Sequence, residues 1–118
     1  MGEKTGNVLR PTDDEAIRLA RTLLRTARHG AIAVLEPGTG APLASRVAVA
    51  TDHDGAPLIL VSGLAAHTGG IEDDPRCSLL LGEPGKGDAM AHARVTIACL
   101  AEKIARDDPR HGRVEWRF

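Results

Sequence analysis

Aromatic residues are almost missing from this 118-residue chain: it has one Trp, one Phe and no Tyr, and Trp116 and Phe118 both sit at the extreme C-terminus. That excludes the stacking platforms on which single-strand and RNA binders rely. The core must be built from Leu, Val, Ile and Ala, and a planar ligand must be held by aliphatic contacts and hydrogen bonds. An excess of one charge is missing too. With 15 basic and 16 acidic residues the formal net charge is −1, so no global field favours nucleic acid or an anionic membrane. No segment reaches the ~20 apolar residues of a membrane span, and "MGEKTGNVLR" has no signal-like apolar run. The expectation is a cytoplasmic protein with neither nucleic acid nor membrane as partner. The two cysteines, Cys77 and Cys99, form no C-x-x-C, lie in apolar strand-like runs and read as buried reduced thiols. Histidines 29, 53, 67, 92 and 111 are scattered without H-x-H or H-E-x-x-H, so no metal site is expected.

What is present begins with a helix. In "PTDDEAIRLARTLLRTARHG", Thr12 and Glu15 make a capping box, Asp13 and Asp14 suit the positive end of the dipole, and Gly30 supplies the stop. Ile17, Ala20, Leu24 and Ala27 make one apolar face; Arg18, Arg21, Arg25 and Arg28 make a stripe, read as a solvated face because the helix start is acidic. After Gly30 the period changes. "AIAVL", a turn in "EPGTGAP", then "LASRVAVATD" and "PLILVS" around "HDG" read as strands, the last pair a hairpin with its turn at Gly55. Alternation places Ser45, Val47, Val49 and Thr51 on one face and Arg46, Ala48 and Ala50 on the other. "HTGGIEDDP" gives one or two helical turns, "RCSLLLGE" a strand, "PGKGDAMAHA" a polar loop and "RVTIACLAEKI" a longer strand. The domain assignment is one unit over 1–118, with a flexible 1–12 and a tail at 107–118 whose "VEWRF" alternates like one last strand. The order lacks βαβ crossovers. It predicts a mainly β fold, an antiparallel barrel with small helices.

Familiar motifs fail on inspection. "GEPGKGD" lacks the spacing and hydroxyl of a phosphate loop, the glycines at 38 and 40 precede a strand, and there is no G-x-S-x-G elbow. "LVSGLAAHTGG" remains. Ser62 closes a strand and His67-Thr68 opens a short helix, where unsatisfied N–H groups favour an anion, although such residues are more often simple caps.

The succession "SRVAVATDHDGAPLILVSGLAAHTGGIEDDPRCSLLL" followed by "GKGDAMAHARVTIACLAEKI" resembles the FMN-binding split barrels of the pyridoxamine 5'-phosphate oxidase-like superfamily, closest to the haem-utilisation branch, over residues 14–107. The resemblance implies that Ser45, Arg46, Val47, Ala48 and Thr51 lie along the flavin, with Arg46 toward its phosphate. Val61 and Ser62 would be the next flavin-contacting pair, and His67 and Thr68 would stand where relatives bind the phosphate. Gly69 and Gly70 depart from the Arg or Asn expected there. It further implies a homodimer with FMN at the interface and a small-molecule substrate. No residue stands out as catalytic. The leading expectation is therefore a flavin-dependent oxidoreductase with FMN as cofactor. Its rivals are a haem-binding or haem-degrading protein, with an axial ligand from His67, His92 or His111, and a cofactor-free interaction module using the Arg stripe.

Overall fold

The computed structural model describes residues 13–118. Helix α1 (Asp14–Thr26) starts where Asp13, in extended backbone, accepts a 2.8 Å bond from the Ala16 N–H, and Asp14 and Glu15 occupy the first turn. Thr12 lies outside the described residues, and Asp13 fills the capping role expected of it. The helix stops at Ala27, whose extended backbone turns the chain, and not at Gly30. Gly30 instead belongs to strand β1 (His29–Leu35). A Cβ there would lie 2.7 Å from the Leu80 carbonyl oxygen and 2.8 Å from Leu81 Cδ2, so this glycine marks a close approach of two strands.

Strands β1, β2 (Pro42–Thr51), β3 (Pro57–Leu60), β4 (Arg76–Leu81) and β5 (Val95–Leu100) form one antiparallel sheet in the order β3-β2-β1-β4-β5. The curled sheet with a few short helices is the mainly β, antiparallel architecture that the alternating segments predict and the split barrel that the resemblance implies. Hairpin chemistry explains the joins. Between β2 and β3, Gly55 donates 2.9 Å to the Asp52 carbonyl and takes φ +92°, a conformation only glycine adopts freely. Helix α2 (Ala66–Asp73) then crosses from β3 to β4.

Alternation sorts the side chains into two faces. Ile32, Val34, Val47, Val49, Leu79 and Leu81 are buried on the inner face, covered by Leu24 and Ala27 of α1 and Ile71 of α2. The rest of the predicted α1 stripe is less engaged: Ile17 is 38% exposed. Arg18, Arg21, Arg25 and Arg28 are all exposed, as a solvated face would be. The outer face is open, with Ala44, Arg46, Ala48, Leu60, Leu80, Ala98 and Leu100 exposed.

Two expectations at the C-terminal end fail. The last strand stops at Leu100 without reaching Ile104: Ala101 still donates 2.8 Å to the opposed Pro75 carbonyl, but Pro75 has no N–H to return the bond, and the ladder ends there. The "VEWRF" tail is no strand: Val114–Trp116 fall in helix α3 (His111–Trp116). Five alternating residues cannot define a strand without a neighbour to pair with, and here Val114 is the one buried residue of a helical turn anchored by Arg113. Cys77 and Cys99 sit opposite each other on β4 and β5 as free, half-buried thiols, and desolvation raises both pKa values. Among the described residues no helix is long and apolar enough to cross a membrane.

Candidate functional site

The site grows from strand β2. Along one side β1 pairs the strand from Pro42 to Ala48, but on the other side β3 pairs only Ala48 to Thr51. From Leu43 to Val47 the strand therefore has an edge that no described strand covers. The segment after β3 and the first turn of α2 come to this edge. On the inner side, Ser45 Oγ lies 2.7 Å from Nδ1 of His67, and the Thr68 hydroxyl donates to the Ser62 carbonyl. The Ser62 hydroxyl accepts from the Leu64 N–H at 3.2 Å. Ser45, Ser62, His67 and Thr68, proposed from sequence as one cluster, are thus neighbours.

Their bonding is internal, however. His67 is 9% exposed and Thr68 6%, and the side chain of each has its partner within the protein. These groups fasten α2 and the turn before it to β2, so the Thr68 hydroxyl and the Nδ1 side of His67 serve the fold. Gly70 shows the same economy of space. A Cβ on it would lie 2.6 Å from Val34 Cγ2 and 3.0 Å from the Leu35 carbonyl, whereas Gly69 has nothing within 4 Å. The small residues of "GLAAHTGG" let a helix lie directly on a strand.

The other expected contacts disperse. Thr51, at the far end of β2, donates 2.9 Å to the Leu24 carbonyl and ties α1 to the sheet. Val47 is buried in the core, and Val61 packs against it. Arg46 and Ala48 stand exposed on the outer face, opposite Ala31 and His29 of β1 respectively. Among the described residues no carboxylate pairs with Arg46.

A cleft of about 320 Å³ opens beside Arg46 on that outer face, lined by His29, Gly30, Ala31, Ala44, Ser45, Arg46, Leu80, Gly82 and Glu83. A second, of about 260 Å³, adjoins it, lined by Leu23, Thr26, Ala27, Arg28, His29, Gly82 and Glu83. His29, Gly82 and Glu83 line both, and His29 Nδ1 is 3.0 Å from Glu83 Oε1. The cleft has a floor of glycine and alanine, one aliphatic wall at Leu80, an exposed guanidinium, and an imidazole held by a carboxylate. Small side chains admit a flat body close to the sheet, and the guanidinium offers a fork of donors to an anion. Sequence reading missed His29 and Glu83, because only the pairing of β1 with β4 brings the start of one strand beside the end of the other.

The remaining histidines are differently placed. His92 Nε2 lies 2.9 Å from the Lys86 carbonyl oxygen, His53 caps Asp52 at 3.0 Å, and His111 Nδ1 lies 3.6 Å from Glu115 within α3. Asp52, His53 and Asp54 bring three ligand-type atoms together, yet Asp52 already meets the Arg113 guanidinium at 3.1 and 2.9 Å. That interaction, with the bonds from His53, holds the Asp52 carboxyl well below the usual carboxylate range. The cluster is a clasp between α3 and the β2–β3 turn.

Comparison with known proteins agrees with the fold. One solved structure is 49% identical, with a TM-score of 0.80 over 92% of this chain and 73% of its own. A haem-binding protein from Mycobacterium smegmatis is 33% identical with a TM-score of 0.74, matching 92% of this chain and 43% of its own. The chloroplastic non-canonical heme oxygenase HOZ of Arabidopsis thaliana is 36% identical over 75 residues, 58% of this chain but only 23% of that protein, so the chain spans about a quarter of this relative. The profile described as pyridoxamine 5'-phosphate oxidase matches residues 18–117, the whole sheet and all of its helices but the start of α1, and the chain belongs to that family of split barrels.

Proposed function

We propose that the chain is a haem-binding split barrel, with the porphyrin lying on the outer-face cleft and Arg46 pairing one of its propionates. The observation that carries this reading is Arg46 itself. It is exposed and without a carboxylate among the described residues, at the rim of a cleft floored by Gly30, Ala31 and Ala44. An aliphatic, aromatic-free floor suits a flat apolar ring held by dispersion and by one charge-assisted contact. Two relatives named for haem support the ligand class. Haem iron, once bound, would supply the electron-transfer or oxygen chemistry; the protein's part is to orient the ring and screen it from water.

A second copy of the chain would cover the ring. Leu60, Leu80 and Leu100 are 61%, 44% and 76% exposed on this same face, an apolar surface that a homodimer would bury. The flavin reading keeps one specific support, the uncovered edge of β2 from Leu43 to Val47, whose backbone groups could pair with the amide-like edge of a flavin ring. Against it stands the internal bonding of His67 and Thr68.

The deciding experiment is the visible spectrum of the purified protein after separate additions of haem and FMN and removal of unbound ligand. A retained Soret band, weakened at least tenfold in affinity by Arg46→Glu, is the expected result. Retained yellow flavin without a Soret band would replace this reading with the FMN one. Retention of neither ligand would overturn both.

A further inference from the structure

We propose that Cys77 and Cys99 are a redox-active dithiol, joined into an intrachain disulfide by exchange with a low-molecular-weight disulfide such as oxidised glutathione and reopened by the matching thiol. Strand register brings the two together. Cys77 of β4 stands directly opposite Cys99 of β5. Alternation turns both to the inner face: Cys77 shares its side of β4 with Leu79 and Leu81, and Cys99 shares its side of β5 with Val95 and Ile97. The chain has two cysteines, so each has one possible partner within it. Both are free and half-buried, and neither is sealed in the core against a small reagent.

The ladder decides what kind of bond forms. Ala101 donates to Pro75, the opposed pair two positions further along, and hydrogen-bonded pairs alternate with non-hydrogen-bonded ones, so Cys77 and Cys99 also form a hydrogen-bonded pair. In such a pair the Cα atoms are about 5.5 Å apart, inside the span that a disulfide bridges. The Cβ atoms, at about 5.5 Å, must close to roughly 3.8 Å. The bond therefore draws β5 toward β4 and carries strain, which makes it easy to reduce. As an edge strand β5 has no described strand on its far side to resist that movement. Exchange then proceeds in two balanced steps. Burial pushes both thiols up, and the charge of Cys99 raises Cys77 further, so Cys99 ionises first. Its thiolate attacks the small disulfide, forming a mixed disulfide and releasing one small thiol. The Cys77 thiolate attacks the Cys99 sulfur, forming the Sγ–Sγ bond and releasing the second. The protein gives up two electrons and two protons, and the small disulfide takes them.

The test uses the full chain, reduced, freed of reductant and exposed to oxidised glutathione at about pH 8.5, where thiolate is available. Its intact mass should fall by two hydrogens with no glutathione retained, and its titratable thiols should go from two to none. Cys77→Ala should instead hold glutathione on Cys99 as a stable mixed disulfide, because no second thiol resolves it. Millimolar reduced glutathione at roughly a hundredfold excess over its disulfide should return the wild-type protein to two thiols, a poise at which structural disulfides stay closed. Glutathione retained on the wild-type protein, or thiols that react only in denaturant, would show that the two sulfurs cannot meet and would overturn the proposal. A bridge that links two chains on a non-reducing gel would overturn it as well. One that survives the glutathione excess would be a structural staple and would refute the redox role. Thermal melts check that the reduced variant is folded, and the wild-type mass needs no variant. No added cofactor enters the experiment, so its outcome is independent of the haem reading.

Discussion

Gly69 and Gly70 are adjacent in sequence and opposite in consequence. Gly70 is buried with Val34 and the Leu35 carbonyl pressed against it, so Gly70→Ala should destabilise the fold by roughly 1–3 kcal/mol through overpacking. Gly69 is exposed, helical and has open space beyond it; Gly69→Ala should stabilise by about 0.5–1 kcal/mol by removing backbone freedom from the unfolded chain. Urea denaturation of the two variants checks both signs, and equal effects would show that the helix does not pack on β1 as described. As a departure from the family pattern, the Gly-Gly pair reads in the sequence as a lost phosphate donor. Its buried member instead serves packing, which depends on the distance between α2 and β1, a quantity no local pattern encodes.

At the scale of elements, α3 is held to the sheet by Asp52, which accepts from Arg113 of the helix and from His53 of its own turn. Asp74 and Asp108 are similarly engaged by Arg76 and Arg110, and both are pulled down to about 2. All three carboxyls titrate below the ~3.9 of an unfolded Asp, so the stability they contribute is present above that value. It is lost as pH falls through the folded-state values. The melting temperature should hold from pH 7 down to about 5 and drop between roughly pH 4 and 2. Asp52→Asn should lower it at pH 7, with the deficit shrinking toward pH 2. A deficit that stays constant over that range would mean that the charge of Asp52 contributes nothing. The partnership of Asp52 with Arg113 spans 61 positions and had no local signal in the sequence. The same lack of local signal made "VEWRF" look like a strand.

For the whole molecule, the proposed homodimer would bury the outer face. Leu60 on β3 and Leu100 on β5 are exposed at the two edge strands, outside the core, so the chain should still fold with both replaced by Glu, losing only the stability that dimer formation adds. Sedimentation of wild-type protein at tens of micromolar should give a dimer, and the double variant a monomer. A wild-type monomer would leave the exposed face without the proposed partner, and an unchanged dimer in the variant would place the interface elsewhere.

The alternation of β2, the glycine turn at 55, the acidic start of α1 and the small-residue run before β4 determined an antiparallel, mainly β chain with short helices, because period, capping and turn chemistry act within a few residues. They also sorted Ser45 from Arg46 onto opposite faces. Only tertiary structure decided what each face does. Pairing of β1 with β2 and β4 placed His29 and Glu83 beside Arg46, and the seat of α2 on β1 turned His67 and Thr68 inward to Ser45 and Ser62. Strand register and helix seating depend on contacts between residues distant in the chain, whereas a sequence pattern fixes only the face to which a side chain points.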